Sequence, residues 1–322
     1  MFDKNAVLNA DLCVINDNLS VETIDSIREK GVFDPKKVVI IIDQVIPPNS
    51  PDSSAVQRHL MKLGDEQNIE MIYGQTMTAQ YLLEKAQAGQ VIAAANQTVT
   101  AAGVNGAWGI CVDEEELKEV LTSGHVTWKA EKSTGIVLNN ASTDVCLRSG
   151  ASALLKTAGD QLKESVAVLD QETFVVYSKE EVLEFVMILS KTGVAGVIVG
   201  NASEAENQIT VDLADQGSVA VSNMEEETVK KVSDMEPKKV KVVFIGGSAG
   251  GNFEQIKTVA EGLRGKKIAY GVRLSVAPAT SEIYKEMTRA GYVAVISDAG
   301  GLVLNQCADP EIQCRVGLGE VM

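Results

Sequence analysis

The sequence predicts an α/β protein with parallel or mixed sheets in three layers. Two observations lead there. Four short runs, 38–42, 91–95, 194–199 and 240–245, are rich in Val, Ile and Ala, the composition of strands covered on both faces. Between them lie segments with apolar residues at helical spacing, and that alternation belongs to βα architecture. The fullest example is the run 240–245, followed by Gly246-Gly247-Ser248-Ala249-Gly250-Gly251-Asn252. Phe253, Ile256, Val259 and Leu263 then recur at helical spacing, and Gly265 stands where a helix would stop.

The elements follow in order. Residues 12–15 read as a strand. Ser20 is the N-cap of a helix striped by Val21, Ile24 and Ile27 and ended by Gly31. Residues 37–43 form the next strand, which puts Asp43 and Gln44 at its C-terminal end, where open α/β sheets hold ligands. Pro47, Pro48 and Pro51 break the chain before a helix at 54–63, a strand at 69–73, a helix at 78–88 stopped by Gly89, and a strand at 91–95. The stretch 96–109, rich in Gly, Ala, Thr and Asn, reads as a loop. Asp113 opens an acidic-started helix to 121, as the helix dipole favours. Segments 127–131 and 135–138 read as a β-ribbon. The second half opens near Asp144, with a helix at 145–156 and a strand at 173–177. Ser178 and Glu181 form a capping box for a helix to 190. Strands are expected at 194–199, 219–221, 240–245, 271–277 and 293–297, and a helix at 281–290. The charged stretch 224–239 is the softest linker.

Composition narrows the function. A chain of 322 residues that is 45% hydrophobic and only 4% aromatic can bury a large aliphatic core in two or three domains. The expected division is 1–143, 144–238 and 239–322. A formal net charge of −15 argues against nucleic acid and against anionic membranes as partners. No apolar run reaches the ~20 residues of a membrane span, and the first residues lack the apolar core of a signal peptide. Five scattered cysteines do not form a disulfide framework, so a reducing cytoplasm is the expected location.

Each candidate site carries two readings. Asp43 is the best single catalytic candidate, or else a carboxylate serving a turn or cap. The 246–252 loop holds an anion on helix amides, or is a tight turn that needs glycine for packing. Asn96, Gln97, Thr98 and Asn105 hold a polar ligand, or satisfy their own glycine-rich backbone. Arg273 and Arg148 pair with a substrate carboxylate, or are ordinary surface arginines. Cys307 and Cys314 bind a metal with Ser248 or Asp298 as a third ligand, or are two thiols on a C-terminal loop, their spacing being no standard zinc or cluster pattern. Cys13, Cys111 and Cys146 are expected as core thiols. His59 and His125, the two histidines, are expected in surface or structural roles.

The landmarks nonetheless follow one pattern. Asp11 to Asp17, the stretch from Phe33 through Asp43-Gln44-Val45-Ile46-Pro47, Gln80 with Glu84, Asn96-Gln97-Thr98-Val99, Gly103 to Trp108, Phe244 to Ser248, Gly271 to Leu274, Pro278 and Asp298-Ala299-Gly300 stand in register. In this order they resemble the large subunit of the aconitase / 3-isopropylmalate dehydratase superfamily, over roughly 8–140 and 240–315, while about 145–235 is shorter and matches poorly. The resemblance implies three-layer aconitase-like domains and a hydro-lyase or isomerase acting on a small hydroxy acid. It implies a [4Fe-4S] cluster on three cysteines and, in the dehydratase branch, a small swivelling-domain subunit that closes the site. It places Asn16, Gln44, Ala79 and Thr98 where the family has histidines. Asn96-Gln97 stands at its Asp-Ser pair, and Ser248 at its first cluster cysteine. Six residues, not two, separate Cys307 from Cys314. Amides keep hydrogen-bonding capacity but exchange no proton near neutral pH.

The expectation is therefore a cluster-free relative that binds a small polar or carboxylate ligand or a partner chain. Asp43 and Ser248 are its catalytic candidates, and Asn16, Asp17, Gln44, Asn96, Gln97, Thr98, Gly247, Gly250 and Asn252 its ligand-binding ones. An active hydro-lyase with a rearranged metal site at Cys307 and Cys314, with a cluster or a single ion, is the alternative. A structural or regulatory subunit is the third reading, and a homo-oligomer the alternative to a hetero-partner.

Overall fold

The computed structural model describes residues 3, 5–130, 132–145, 147–214, 219–222, 228–231, 234, 236, 239–248 and 250–306. In chain order, β1 (Val7–Asn9), β2 (Leu12–Asn16), α1 (Val21–Lys30), β3 (Val38–Ile42), α2 (Pro51–Gln67), β4 (Glu70–Tyr73), α3 (Thr78–Lys85) and β5 (Val91–Ala94) come first. A 3-10 helix, Gln97–Asn105, leads to β6 (Trp108–Cys111), α4 (Glu114–Ser123), β7 (His125–Thr127) and β8 (Lys132–Asn139). Next come α5 (Leu147–Leu162), β9 (Ser165–Asp170), α6 (Gln171–Phe174), α7 (Lys179–Leu189), β10 (Gly196–Gly200), β11 (Asn207–Asp212), β12 (Val219–Ser222) and β13 (Thr228–Lys231). Last are β14 (Val242–Ile245), α8 (Phe253–Leu263), β15 (Arg273–Val276), α9 (Ser281–Arg289), α10 (Tyr292–Ala299) and β16 (Leu302–Val303).

Contacts divide the chain into two units, Met1–Val14 with Leu82–Pro237 and Ile15–Tyr81 with Lys238–Met322. The units are discontinuous in sequence, whereas the expected domains are consecutive. In the first unit, Leu12 to Val14 of β2 pairs in parallel with β5, and β5 with β6. A second, four-stranded sheet runs in the order β10-β9-β8-β11, all parallel. Two antiparallel pairs, β1 with β7 and β12 with β13, complete it. In the second unit β3 pairs in parallel with β4, and β14, β15 and β16 form a three-stranded parallel sheet. Ile256 and Ala260 of α8, Met287 of α9, and Tyr292 and Ile296 of α10 pack with Leu274 and Val276 of β15 as the core beside that sheet.

All four apolar runs are strands, and the mixed α/β class with parallel sheets is as expected. β3 and β5 are buried at every residue, whereas β14 is only half-buried, so the reading of that strand as covered on both faces is corrected. Three further expectations fail. Residues 173–177 are no strand, because Asp170 caps the short helix α6 through the Thr173 N–H at 3.2 Å. Residues 293–297 lie in α10, which turns Tyr292, Ile296 and Ala299 into the core at helical spacing. The ribbon at 127–138 does not form: β7 pairs with β1, and β8 enters the parallel sheet between β9 and β11. Most of the expected linker, together with Cys146, Cys307 and Cys314, lies outside the described residues. Among the described residues no helix is long and apolar enough to cross a membrane.

Candidate functional site

The second unit gathers four sequence-predicted residues, Asn16, Asp17, Asp43 and Gln44, at the adjoining ends of β2 and β3. Asp43 is 1% exposed and Asn16 2%. Asp43 Oδ1 accepts from Gln44 Nε2 at 2.7 Å and from Asn16 Nδ2 at 3.3 Å, and Oδ2 accepts from the Thr78 N–H at 2.6 Å. Its carboxylate thus sits on the first amide of α3, a favourable place for a negative charge. Burial nevertheless pushes its pKa up to about 6, with the Asp17 charge adding to the rise and the hydrogen bonds from Thr78 and Gln44 opposing it.

Asn16 Nδ2 also donates to Ile41 O at 3.1 Å and Thr78 Oγ1 at 2.7 Å. Asn16 Oδ1 is buried and meets no donor. Turning the amide over would not cure this, since it would set the oxygen against the Ile41 carbonyl and the Asp43 carboxylate. Asp17 does backbone work. Oδ1 accepts from the N–H groups of Asp43 at 3.1 Å and Gln44 at 2.9 Å, and Oδ2 from Val45 N–H and Gln57 Nε2, each at 3.3 Å. Gln57, buried on α2, donates to Val45 O at 2.6 Å. Sequence reasoning missed Thr78 and Gln57. Nothing local marks either, although Thr78 at the start of an expected helix was the one legible hint.

The glycine loop lies in the same unit and is built for close packing. A Cβ on Gly251 (φ 77°) would stand 2.3 Å from Ala277 O, and one on Gly250 would stand 2.4 Å from Gly246 O. The amides expected to cradle an anion are partly spent. Gly250 N–H donates to Gly247 O at 3.2 Å, and Gly251 N–H donates to Gln255 Oε1 at 2.9 Å. Asn252 is the N-cap of α8, its side chain accepting from Gln255 N–H at 2.9 Å. Ser248 is half-buried in the turn. Backbone bonds tie this loop toward the Asp43 cluster: Ala279 N–H to Gly251 O, Met77 N–H to Ala279 O, and Ser281 N–H to Gln75 O. Thr78, next after Met77, is the residue that reaches Asp43.

Asn96, Gln97 and Thr98 belong to the first unit. Asn96 caps the 3-10 helix, its Oδ1 accepting from Thr98 N–H and Thr98 Oγ1 at 3.0 Å each. Asn105 Nδ2 donates to Leu83 O at 2.6 Å and its Oδ1 accepts from Lys179 at 2.6 Å. Asn96 and Asn105 thus bond to nearby backbone, whereas Gln97 Oε1 is buried and meets no donor. The loop expected at 96–109 is therefore a 3-10 helix followed by β6. Arg148 pairs with Glu184 at 4.0 Å. His59 Nδ1 lies 2.8 Å from Asp25, whose carboxyl that contact holds below the usual range, and His125 is exposed. Cys13 is buried in β2, and burial pushes the Cys111 thiol up to about 11, so it stays protonated. Among the described residues no three His, Cys, Asp or Glu side chains gather as a metal site.

The comparisons with known proteins fall in one direction. The model of the aconitase family (aconitate hydratase) matches residues 176–310, a span that includes the glycine loop and β15. The chain is 24% identical to 3-isopropylmalate dehydratase large subunit 1 of Methanopyrus kandleri, across 97% of this chain and 82% of that one. It is also 24% identical to the homoaconitase large subunit of Thermus thermophilus, across 84% of this chain and 70% of that one. Thermococcus kodakaraensis aconitase X, solved in its holo form, superposes with a TM-score of 0.62 over 94% of this chain and 79% of that one, at 15% identity, and so shares the fold. By sequence, the chain is similar to the aconitase / 3-isopropylmalate dehydratase large subunits, and it shares the fold of aconitase X.

Proposed function

We propose that this chain works without an iron–sulfur cluster and binds a small polar ligand at the Asn16–Asp43 cluster, rather than dehydrating a hydroxy acid. One observation carries the reading: the side chains at the family's acid–base positions are carboxamides, a hydroxyl and a methyl group, and their hydrogen bonds go to the fold except at Asn16 Oδ1 and Gln97 Oε1. Asn16 holds Ile41 O, Asn96 caps a 3-10 helix, and Ala79 is a buried methyl group with nothing to donate. Carboxamides orient and bind, but they do not shuttle protons.

The donor set does not fit the cluster either. Position 248 presents a hydroxyl where the family has a thiolate, and a hydroxyl is a poor ligand for iron beside thiolates. Cys307 and Cys314 lie outside the described residues.

A hydro-lyase acting through Asp43 is the second reading. Its support is that the Asp43 carboxyl is held near pH 6, in the range of a general base. Against it stand the burial of that carboxylate and the three donors already on it. The relatives are named as large subunits, which supports a second polypeptide as this chain's partner.

The deciding experiment is anaerobic purification with iron and sulfide analysis, together with turnover assays on 2- and 3-hydroxy acids. We expect substoichiometric iron and no turnover. A full complement of iron and sulfide with turnover would reverse the reading.

A further inference from the structure

We propose that the cluster where β2 and β3 end takes the ammonium group of a small organic amine, hydrogen-bonded to Asn16 Oδ1 and balanced by Asp17 and Asp43. The inference rests on the reading of this cluster as a ligand site and names the ligand's chemistry.

Two independent features point the same way. The first is an acceptor in need of a donor. Asn16 is 2% exposed, its Nδ2 is fully engaged, and its Oδ1 has no partner. A buried acceptor left unmet is costly, so the site favours an occupant that brings an N–H or O–H.

The second is charge. Among the described residues every group that donates to Asp17 or Asp43 is neutral: backbone N–H groups, the Thr78 hydroxyl and the carboxamides of Asn16, Gln44 and Gln57. Among the described residues no Lys, Arg or His forms an ion pair with either carboxylate. Two carboxylates thus share a poorly solvated site without a counter-ion, and burying a charge unpaired is costly. A ligand carboxylate would add a third negative charge. An ammonium group supplies both the missing donor and the missing positive charge. Asp17 and Gln44 are half-buried, so the cluster meets solvent on their side.

The groups facing Asp43 are Asp17 from the end of β2, and the neutral Asn16, Gln44 and Thr78. Among the described residues Asp17 is the other charged group facing Asp43, and amine affinity should fall as Asp43 takes up a proton on acidification from pH 7 to 5.

The test uses the whole chain with methylammonium and ethanolamine as probes, against acetate and potassium at matched ionic strength. Thermal shift and amide NMR titration read the binding. We expect the amines to bind at least tenfold more tightly than acetate or potassium, about 1.4 kcal/mol, and Asp43→Asn to lose that preference. Equal or tighter binding of acetate or potassium, no binding of the amines, or undiminished amine binding by Asp43→Asn overturns the proposal. If Asp43→Asn does not fold, the side-chain amide resonances of Asn16 in the natural protein decide. A shift on saturation with amine supports the proposal, and no shift overturns it. Iron and sulfide measured on the same preparation show separately whether the cluster-free reading has failed.

Discussion

Asp43 is a carboxylate that the fold encloses and compensates only in part. Its folded pKa of about 6 stands above the ordinary value of 3.8. Between those values the native state holds a proton that the unfolded chain has released. The free energy of unfolding attributable to this group therefore falls as pH rises from about 4 to 6, and is level above. At about 1.36 kcal/mol per unit, the penalty at neutral pH is roughly 3 kcal/mol. The neighbouring Asp17 contributes to it, and no cation relieves it. The prediction concerns a difference. Urea unfolding of the natural protein and of Asp43→Asn, compared from pH 7 to pH 4, should show the natural protein gaining roughly 2 kcal/mol on the variant. A difference that stays flat with pH would sink the argument. Asn at 43 offers one acceptor oxygen where the carboxylate offers two, so it also sets a donor against a donor, either at Thr78 or at Asn16 and Gln44.

The βα turn after β14 shows what a glycine-rich sequence is for in this fold. The loop is pressed against Ala277, and its amides bond within the turn or to Gln255. Tight packing requires glycine at 250 and 251. The backbone beyond Ala277 then runs on to Gln75 and Met77, so a push at Gly251 is felt toward Thr78 and Asp43. Gly251→Ala should cost about 3 kcal/mol or more, because positive φ and a backbone clash act together. Gly265→Ala is the control. It shares a positive φ, 72°, but its Cβ would meet open space, so about 1–2 kcal/mol is expected. Urea midpoints of the two variants measure the contrast, and equal losses would show that packing is not the cause.

At the scale of the whole molecule the chain is two contact units woven through the sequence, with a surface that carries net charge −15. Repulsion at that charge disfavours self-association unless a specific face overrides it. The relatives' designation as large subunits leads to a prediction of a second, smaller polypeptide in the native assembly. Copurification from the source organism with native mass measurement checks it. A single species at the mass of this chain or its multiples, at every concentration, would count against a hetero-partner.

By itself the sequence determined what depends on neighbours along the chain. Ser20 and Ser178 cap the helices they were expected to cap, Gly31 ends the first helix, and the run 38–42 is a buried strand. Cap geometry and residue patterning act within a few positions, so they are written locally. Asp43 and Gln44 were legible for the same reason, as the end of a strand, whereas Asn16 and Asp17 were marked by the family resemblance. The tertiary structure alone decided the rest. Val293 to Ser297 has strand composition, yet it coils into α10 because Tyr292, Ile296 and Ala299 reach the core only at helical spacing. β8 leaves the expected ribbon because its partners are β9 and β11, which come later in the chain. Thr78 joins Asp43 across 35 positions and Gln57 joins Asp17 across 40. Partners that far apart leave no mark on the residues between them, so only the folded chain encloses Asp43 and leaves Asn16 Oδ1 unmet.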